Sequence, residues 1–221
     1  MQFGSINYLN LLPFQVFMKR AIQNPAAKLS FGYRRAVPSH INDAFKRRKI
    51  DAAFISSVAS KGCRCSDLGI IAKGKVYSVL LLPGAAQNDP ASATSNRLAK
   101  TLGLEGRVLI GDAALQHYLL GGESIDLAKV WREKTGLPFV FARLCYNRHG
   151  KQVEKLSRLF AKSKTRIPQY ILKREAKKRG ITPKQLKWYL GHIHYEMDWK
   201  AKQGLKKFLG LRAKGRFSRL G

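Results

Sequence analysis

An apolar run that breaks into polar residues and then meets a proline opens this chain: Phe3-Gly4-Ser5-Ile6-Asn7-Tyr8-Leu9-Asn10-Leu11-Leu12-Pro13-Phe14. Phe3 and Ile6 suit a buried first strand. Pro13 is barred from a strand interior and favoured in a first helical turn. The pattern predicts a strand ending near Asn7 or Tyr8, a loop holding Asn10, and a helix after Pro13. Asn10 then lies at the carboxyl end of a strand, where open α/β sheets bind ligands. Its amide donates and accepts hydrogen bonds without charge, so a ligand contact and a helix cap are both open to it.

The same alternation continues. Phe14 to Ile22 carries helical apolar spacing through Phe14, Phe17, Met18 and Ala21, closed by Asn24-Pro25. Ser39 reads as the N-cap of a second helix with an Ile41, Ala44, Phe45 stripe, and the cations Lys46 to Lys49 suit its last turn. Ile50 to Ile55 is a buried strand that ends in Ser56-Ser57. Gly69 to Ala72 and Val76 to Leu82 are further strands, the second interrupted by Ser78. Pro83 to Ala91 reads as a linker. Ser92-Ala93-Thr94-Ser95 then heads a short helix, where hydroxyls beside unpaired backbone N–H groups can hold an anion or cap the helix. Val108 to Ile110 is a strand, Ala113 to Leu119 a helix, Asp126 the cap of another helix through Trp131, and Leu137 to Ala142 a strongly apolar strand.

The remainder is helical and basic, with helices from Val153, Pro168, Thr182-Pro183 and Asp198 and a tail of Arg212, Lys214, Arg216 and Arg219 expected to fray. His192 and Glu196 share a helical face in this reading while His194 lies off it, so no metal site is expected. The class is α/β. Two lobes around a cleft are expected, lobe I from residues 1–82 and 140–221 and a small lobe II from 83–139. Asn10, Ser56, Ser78 and Ser95 can all face that cleft. No catalytic triad, phosphate-binding glycine loop or zinc box is present in the sequence.

Composition narrows the function. With 45% hydrophobic residues among 221, a packed core is expected. The formal net charge of +29 suits a polyanion or an anionic small molecule. The aromatic and Gly-rich signatures of common RNA modules are missing, so no specific nucleic-acid partner is expected. No apolar run is long enough to cross a bilayer and no basic leader precedes a long apolar stretch, which points to the cytoplasm and to no membrane partner. Cys63, Cys65 and Cys145 lack a second closely spaced pair for zinc and are read as reduced thiols.

Several segments together carry a resemblance. Ser5-Ile6-Asn7-Tyr8-Leu9-Asn10 with Pro13 resembles the opening motif of the chorismate dehydratases of the futalosine route to menaquinone. Asp51 to Ser57, Ser78-Val79-Leu80, Ser92 to Ser95, Ile110 to Leu115, and Trp131 with Thr135 to Ala142 resemble that family's later motifs in the same order, and the likeness resumes in the C-terminal helices. The resemblance implies a periplasmic-binding-protein-like fold of the type II kind, used as a cytoplasmic enzyme without cofactor. It implies loss of water from chorismate to give a carboxyvinyloxy-benzoate. The residues it ties to catalysis are Asn10 and Ser78. The segment from Ser95 to Ile110 is shorter than the family pattern, so lobe II should be small.

We expect substrate contacts from Tyr8, Ser56, Ser57, Thr94, Ser95, Gly111 and Asp112, with Ser56, Thr94 and Ser95 on the two carboxylates. A base must reach the proton it takes. The carboxylates within the motifs are Asp51, at the start of a strand, and Asp112, which would repel a dianion. The expected base is therefore the substrate's own enolpyruvyl carboxylate. The competing readings are the related dihydroxynaphthoate synthase of the same pathway, whose opening motif differs, a non-catalytic binder of a small anion, and an RNA-associated protein argued from charge alone.

Overall fold

The computed structural model of the chain describes residues 1–22 and 31–211. The helix end at Asn24-Pro25 and the basic tail beyond Leu211 lie outside the described residues. Two sheets organise the rest. The larger one holds β1 (Gln2–Ser5), β2 (Gly32–Arg35), β3 (Ala52–Ser56), β4 (Cys65–Ala72), β8 (Phe139–Tyr146) and β9 (His194–Glu196) in the order β2-β1-β3-β8-β4-β9. The smaller one is β6-β5-β7, with β5 (Val79–Leu82), β6 (Arg107–Ile110) and β7 (Ile125–Asp126). β1 runs parallel to both β2 and β3, and β8 lies antiparallel between β3 and β4.

The opening residues fold as their types dictate. β1 stops at Ser5, a 3-10 turn takes Leu9–Leu11, and α1 (Leu12–Ala21) follows with Pro13 in its first turn. Neither the turn nor α1 has a side-chain cap, so the Asn10 amide is not spent on helix ends. α2 (Pro38–Lys46) buries the expected Ile41, Ala44 and Phe45. Its N-cap is Val37 rather than Ser39, because Pro38 already occupies the first turn and moves the boundary back by two residues.

The passage into the small sheet differs from the expected boundary at residue 82. β5 is the centre of the small sheet, so the crossing precedes Val79 instead of following Leu82. Tyr77 has a left-handed backbone, φ 61°, and breaks the apolar run. Asp126 fixes that break. Its Oδ2 accepts from the N–H groups of Val76 (2.8 Å) and Tyr77 (2.7 Å), while its Oδ1 caps α5 (Leu127–Thr135) through Ala128 and Lys129. Burial pushes this carboxyl up, against the pull of the four N–H groups.

Between β5 and β7 lie α3 (Ala93–Leu102), capped by Ser92, and α4 (Gly111–Leu119). The chain returns through β8 to α6 (Gly150–Lys162), α7 (Gln169–Lys177), α8 (Pro183–Leu190) and α9 (Trp199–Gly210). α8 begins with a capping box between Thr182 and Gln185, and Asp198 caps α9 through Ala201. His194 to Glu196 is a strand, not the helix expected from spacing. The helix ends at Leu190, and the following residues pair with β4. Trp131 and Phe208 meet edge-on at 5.9 Å, and both pack on Phe139, so α5 and α9 close over β8. One buried cluster includes Phe54 of the large sheet with Val79 of the small one, which makes the core continuous across the seam.

The cysteine expectation is corrected. Cys65 and Cys145 stand directly opposite in the antiparallel register of β4 and β8 and are joined as a disulfide, and Cys63 remains a thiol. No helix among the described residues is long and apolar enough to cross a membrane.

Asp126 and Asp198 make a matched test. Asp126→Ala leaves buried donors at the crossing and at α5 unpaired and should cost about 3 kcal/mol. Asp198→Ala removes a partly exposed cap and should cost about 1 kcal/mol. Urea denaturation checks both, and equal losses would contradict the crossing role of Asp126.

Candidate functional site

A cleft opens between the two sheets. The opening loop forms one wall because it is tied from several sides. Gln15 Nε2 donates to the Ile6 carbonyl (3.0 Å), and the Leu9 N–H donates to Asp112 Oδ1 (3.1 Å). The Tyr195 hydroxyl donates to the Asn10 carbonyl at 2.7 Å. Arg179, just beyond α7, reaches across with Nε to Asp112 Oδ2 (2.6 Å), Nη1 to Glu175 Oε2 (2.7 Å) and Nη2 to the Asn7 carbonyl (3.1 Å). Burial works to lower the guanidinium pKa, but Asp112 and Glu175 outweigh it and raise the value.

The other wall comes from the ends of strands and the start of α3. Ser56 ends β3 and is held by Asn42, whose Nδ2 donates to Ser56 Oγ (3.0 Å) while its Oδ1 accepts from the Ser56 N–H (3.1 Å). Ser78 stands immediately before β5, its carbonyl accepting from the Gly111 N–H at 2.8 Å and its Oγ from the Tyr189 hydroxyl at 2.9 Å. At α3, Ser92 Oγ accepts from the Ser95 N–H and donates to Ser95 Oγ.

Asn10 and Ser78 line this one cleft, with Tyr8, Ser56, Ser95 and Gly111. Gly111 has φ +69°, and a Cβ there would sit 2.9 Å from the Tyr8 ring, so only glycine lets the phenol lie against α4. Burial, then Asp89 and Asp112, push the Tyr8 phenol up to about 12, so it stays neutral and able to donate. Three further expected contacts point elsewhere. Ser57 Oγ donates to the Val140 carbonyl, Thr94 Oγ1 accepts from the Val58 N–H at 3.2 Å, and both Asp112 oxygens are taken by Leu9 and Arg179. Ser92 lines the cleft and was readable only as the head of its motif. Tyr189 had no local signal in the sequence, lying 111 residues from Ser78.

Among the described lining residues none is Asp, Glu, His, Lys or Arg. The polar groups are hydroxyls, an amide and the N-terminus of α3, and the rest of the surface is apolar, including Ile6, Phe54 and Phe141. Such a lining can hold anions through neutral donors and the helix dipole. It offers no side chain suited to take a proton at neutral pH.

A family model described as menaquinone biosynthesis matches residues 90–214. Over 214 residues the chain is 42% identical to a chorismate dehydratase of Campylobacter jejuni subsp. jejuni, covering 95% of this chain and 96% of that one. Among solved structures, a protein from Archaeoglobus fulgidus matches with a TM-score of 0.65 at 13% identity, over 94% of each chain. A Candida albicans protein described as having the generic periplasmic binding protein fold matches with a TM-score of 0.58 at 9% identity, over 98% of this chain and 92% of that one. At such identities the likeness concerns the fold, which is the periplasmic-binding-protein-like α/β fold.

The ion-pair cluster behind the loop yields a pH test. Burial raises the Glu175 pKa, but Arg174, Arg179 and Lys178 outweigh it and hold the carboxyl below its ordinary value. Its stabilising share is therefore complete above about pH 5 and is lost as pH falls through the lowered value. Arg179→Ala should cost about 3 kcal/mol at pH 7 and flatten the acid limb of the stability curve. Denaturant midpoints at pH 7 and in acid measure this, and an unchanged acid limb would contradict it.

Proposed function

This chain belongs to the chorismate dehydratase family of menaquinone biosynthesis, a family of hydro-lyases, and we propose that its cleft removes water from chorismate to leave 3-[(1-carboxyvinyl)oxy]benzoate. The observation that carries the mechanism is the lining: neutral donors and, among the described residues, no titratable side chain except the Tyr8 phenol. Chorismate brings two carboxylates, which suit serine hydroxyls and the N-terminus of α3. We assign Ser56 and Ser95, with Ser92, to those carboxylates, and Asn10 and Ser78 to the reacting region.

The reaction needs a base for the ring proton beside the ether. In this reading the base is the substrate's enolpyruvyl carboxylate, tethered to that carbon through the ether oxygen. Removing the proton spreads negative charge through the diene onto the ring carboxylate. The neighbouring hydroxyl then leaves, taking the proton from the enolpyruvyl carboxyl, and departs as water as the ring becomes aromatic. No oxidant or cofactor enters the balance. Donors aimed at the developing charge can each be worth about 3 kcal/mol.

The same reading divides the protein into two unequal lobes, one on each sheet, with the crossings before β5 and before β8. It places the enzyme in the cytoplasm, acting on a small molecule with no nucleic-acid or membrane partner.

Purified protein incubated with chorismate should produce an aromatic absorbance with first-order decay of substrate. Asn10→Ala and Ser78→Ala should each lower kcat by roughly a hundredfold while the fold persists. Normal turnover by either variant would remove that residue from the mechanism, and no aromatic product from the wild type would overturn the reading.

A further inference from the structure

Tyr189 lies in α8, only 1% exposed, and its hydroxyl reaches Ser78 Oγ at 2.9 Å. Three features give this contact a direction. A phenol is a far stronger acid than an alcohol, so the tyrosine is the natural donor of the pair. Burial raises the Tyr189 pKa further, which keeps its proton in place. The Ser78 backbone cannot turn away, because its carbonyl is held by the Gly111 N–H and the preceding Tyr77 N–H is held by Asp126.

A serine hydroxyl has one proton and two lone pairs. With one lone pair taken by Tyr189, the Ser78 proton must point away from α8. Among the described residues Ser78 Oγ has no acceptor, and the residue lines the cleft, so the open direction for that proton is the cleft. A hydroxyl that already accepts a hydrogen bond is also a better donor, through mutual polarisation.

The seat of α8 supports the same geometry. Its Trp188 ring lies 4.5 Å from the ring of Tyr77, which in turn lies 4.8 Å from Tyr118 of α4, so aromatic contacts from the crossing and from both sides of the seam hold the helix over Ser78. The capping box at Thr182 fixes the start of that helix.

We propose that Tyr189 is a positioning residue that sets the Ser78 hydroxyl as a donor into the cleft. The inference rests on the dehydratase reading above. It assigns Ser78 a single sense, giving a hydrogen bond to substrate and not taking a proton from it. Tyr189 itself touches no substrate in this account.

A double-mutant cycle in kcat tests it, with Tyr189→Phe, Ser78→Ala and the pair compared on chorismate. Tyr189→Phe should lower kcat roughly tenfold, with KM changed by less than about threefold. In the Ser78→Ala background the same change should have no further effect on kcat. Additive losses would show that Tyr189 acts independently of Ser78 and would overturn the proposal, as would wild-type kcat in Tyr189→Phe. Thermal melting checks that each variant is folded. Should Tyr189→Phe not fold, 3-fluorotyrosine at position 189, a stronger donor of nearly the same size, should raise kcat, and no change or a fall would overturn the proposal. A wild type that does not aromatise chorismate would instead sink the dehydratase reading, and this inference with it.

Discussion

Asp112 is the tie on which the cleft depends. One oxygen accepts from Leu9 in the turn after β1, the other from Arg179 beyond α7, while the residue itself sits in the first turn of α4. Three parts of the chain distant in sequence meet on one carboxylate. Two of them belong to the large sheet's side of the seam and one to the small sheet's side. The carboxylate is mostly buried and its partners are a backbone N–H and a guanidinium, so the charge is compensated where it stands. Removing it from the cleft also removes the negative charge that would otherwise face a dianion.

That arrangement explains how a chain with a formal net charge of +29 presents a neutral cleft. The positive field draws anions toward the protein without a cation at the reacting centre. In the proposed mechanism neutral donors hold the carboxylates and lower their basicity less than an adjacent ammonium or guanidinium would. A substrate carboxylate proposed to act as the base would benefit from that difference. In the proposed mechanism the aromatic product supplies the driving force, which leaves the protein orientation and stabilisation of charge.

Much of the frame was legible from residues close in sequence. Pro13 fixed the start of α1, Asp126 announced the cap of α5, and Thr182-Pro183 announced α8, because each is a local event of a turn or less. The order of motifs from Ser5 to Ala142 pointed to the family. What escaped the sequence was long-range. The second oxygen of Asp126 serves the crossing at Val76 and Tyr77, which moves β5 into the small sheet. The register of β4 on β8 brings Cys65 against Cys145. Pairing with β4 makes His194 to Glu196 a strand despite helical spacing. Within the site, motif position placed Asn10, Ser56, Ser78 and Ser95 at the cleft, but it could not tell that Ser57 turns toward β8 or that Thr94 serves the Val58 N–H. Those directions depend on packing between elements and not on the residue type.

The pH dependence of kcat on chorismate tests most directly whether the protein contributes a titrating base. Among the described lining residues the only ionisable side chain is the Tyr8 phenol, pushed up to about 12, and the substrate carboxylates ionise well below neutrality. The account predicts a kcat that is flat from about pH 6 to about pH 9. A limb with an apparent pKa near that of histidine, about 6.5, would reveal a protein group in the proton transfer and contradict it.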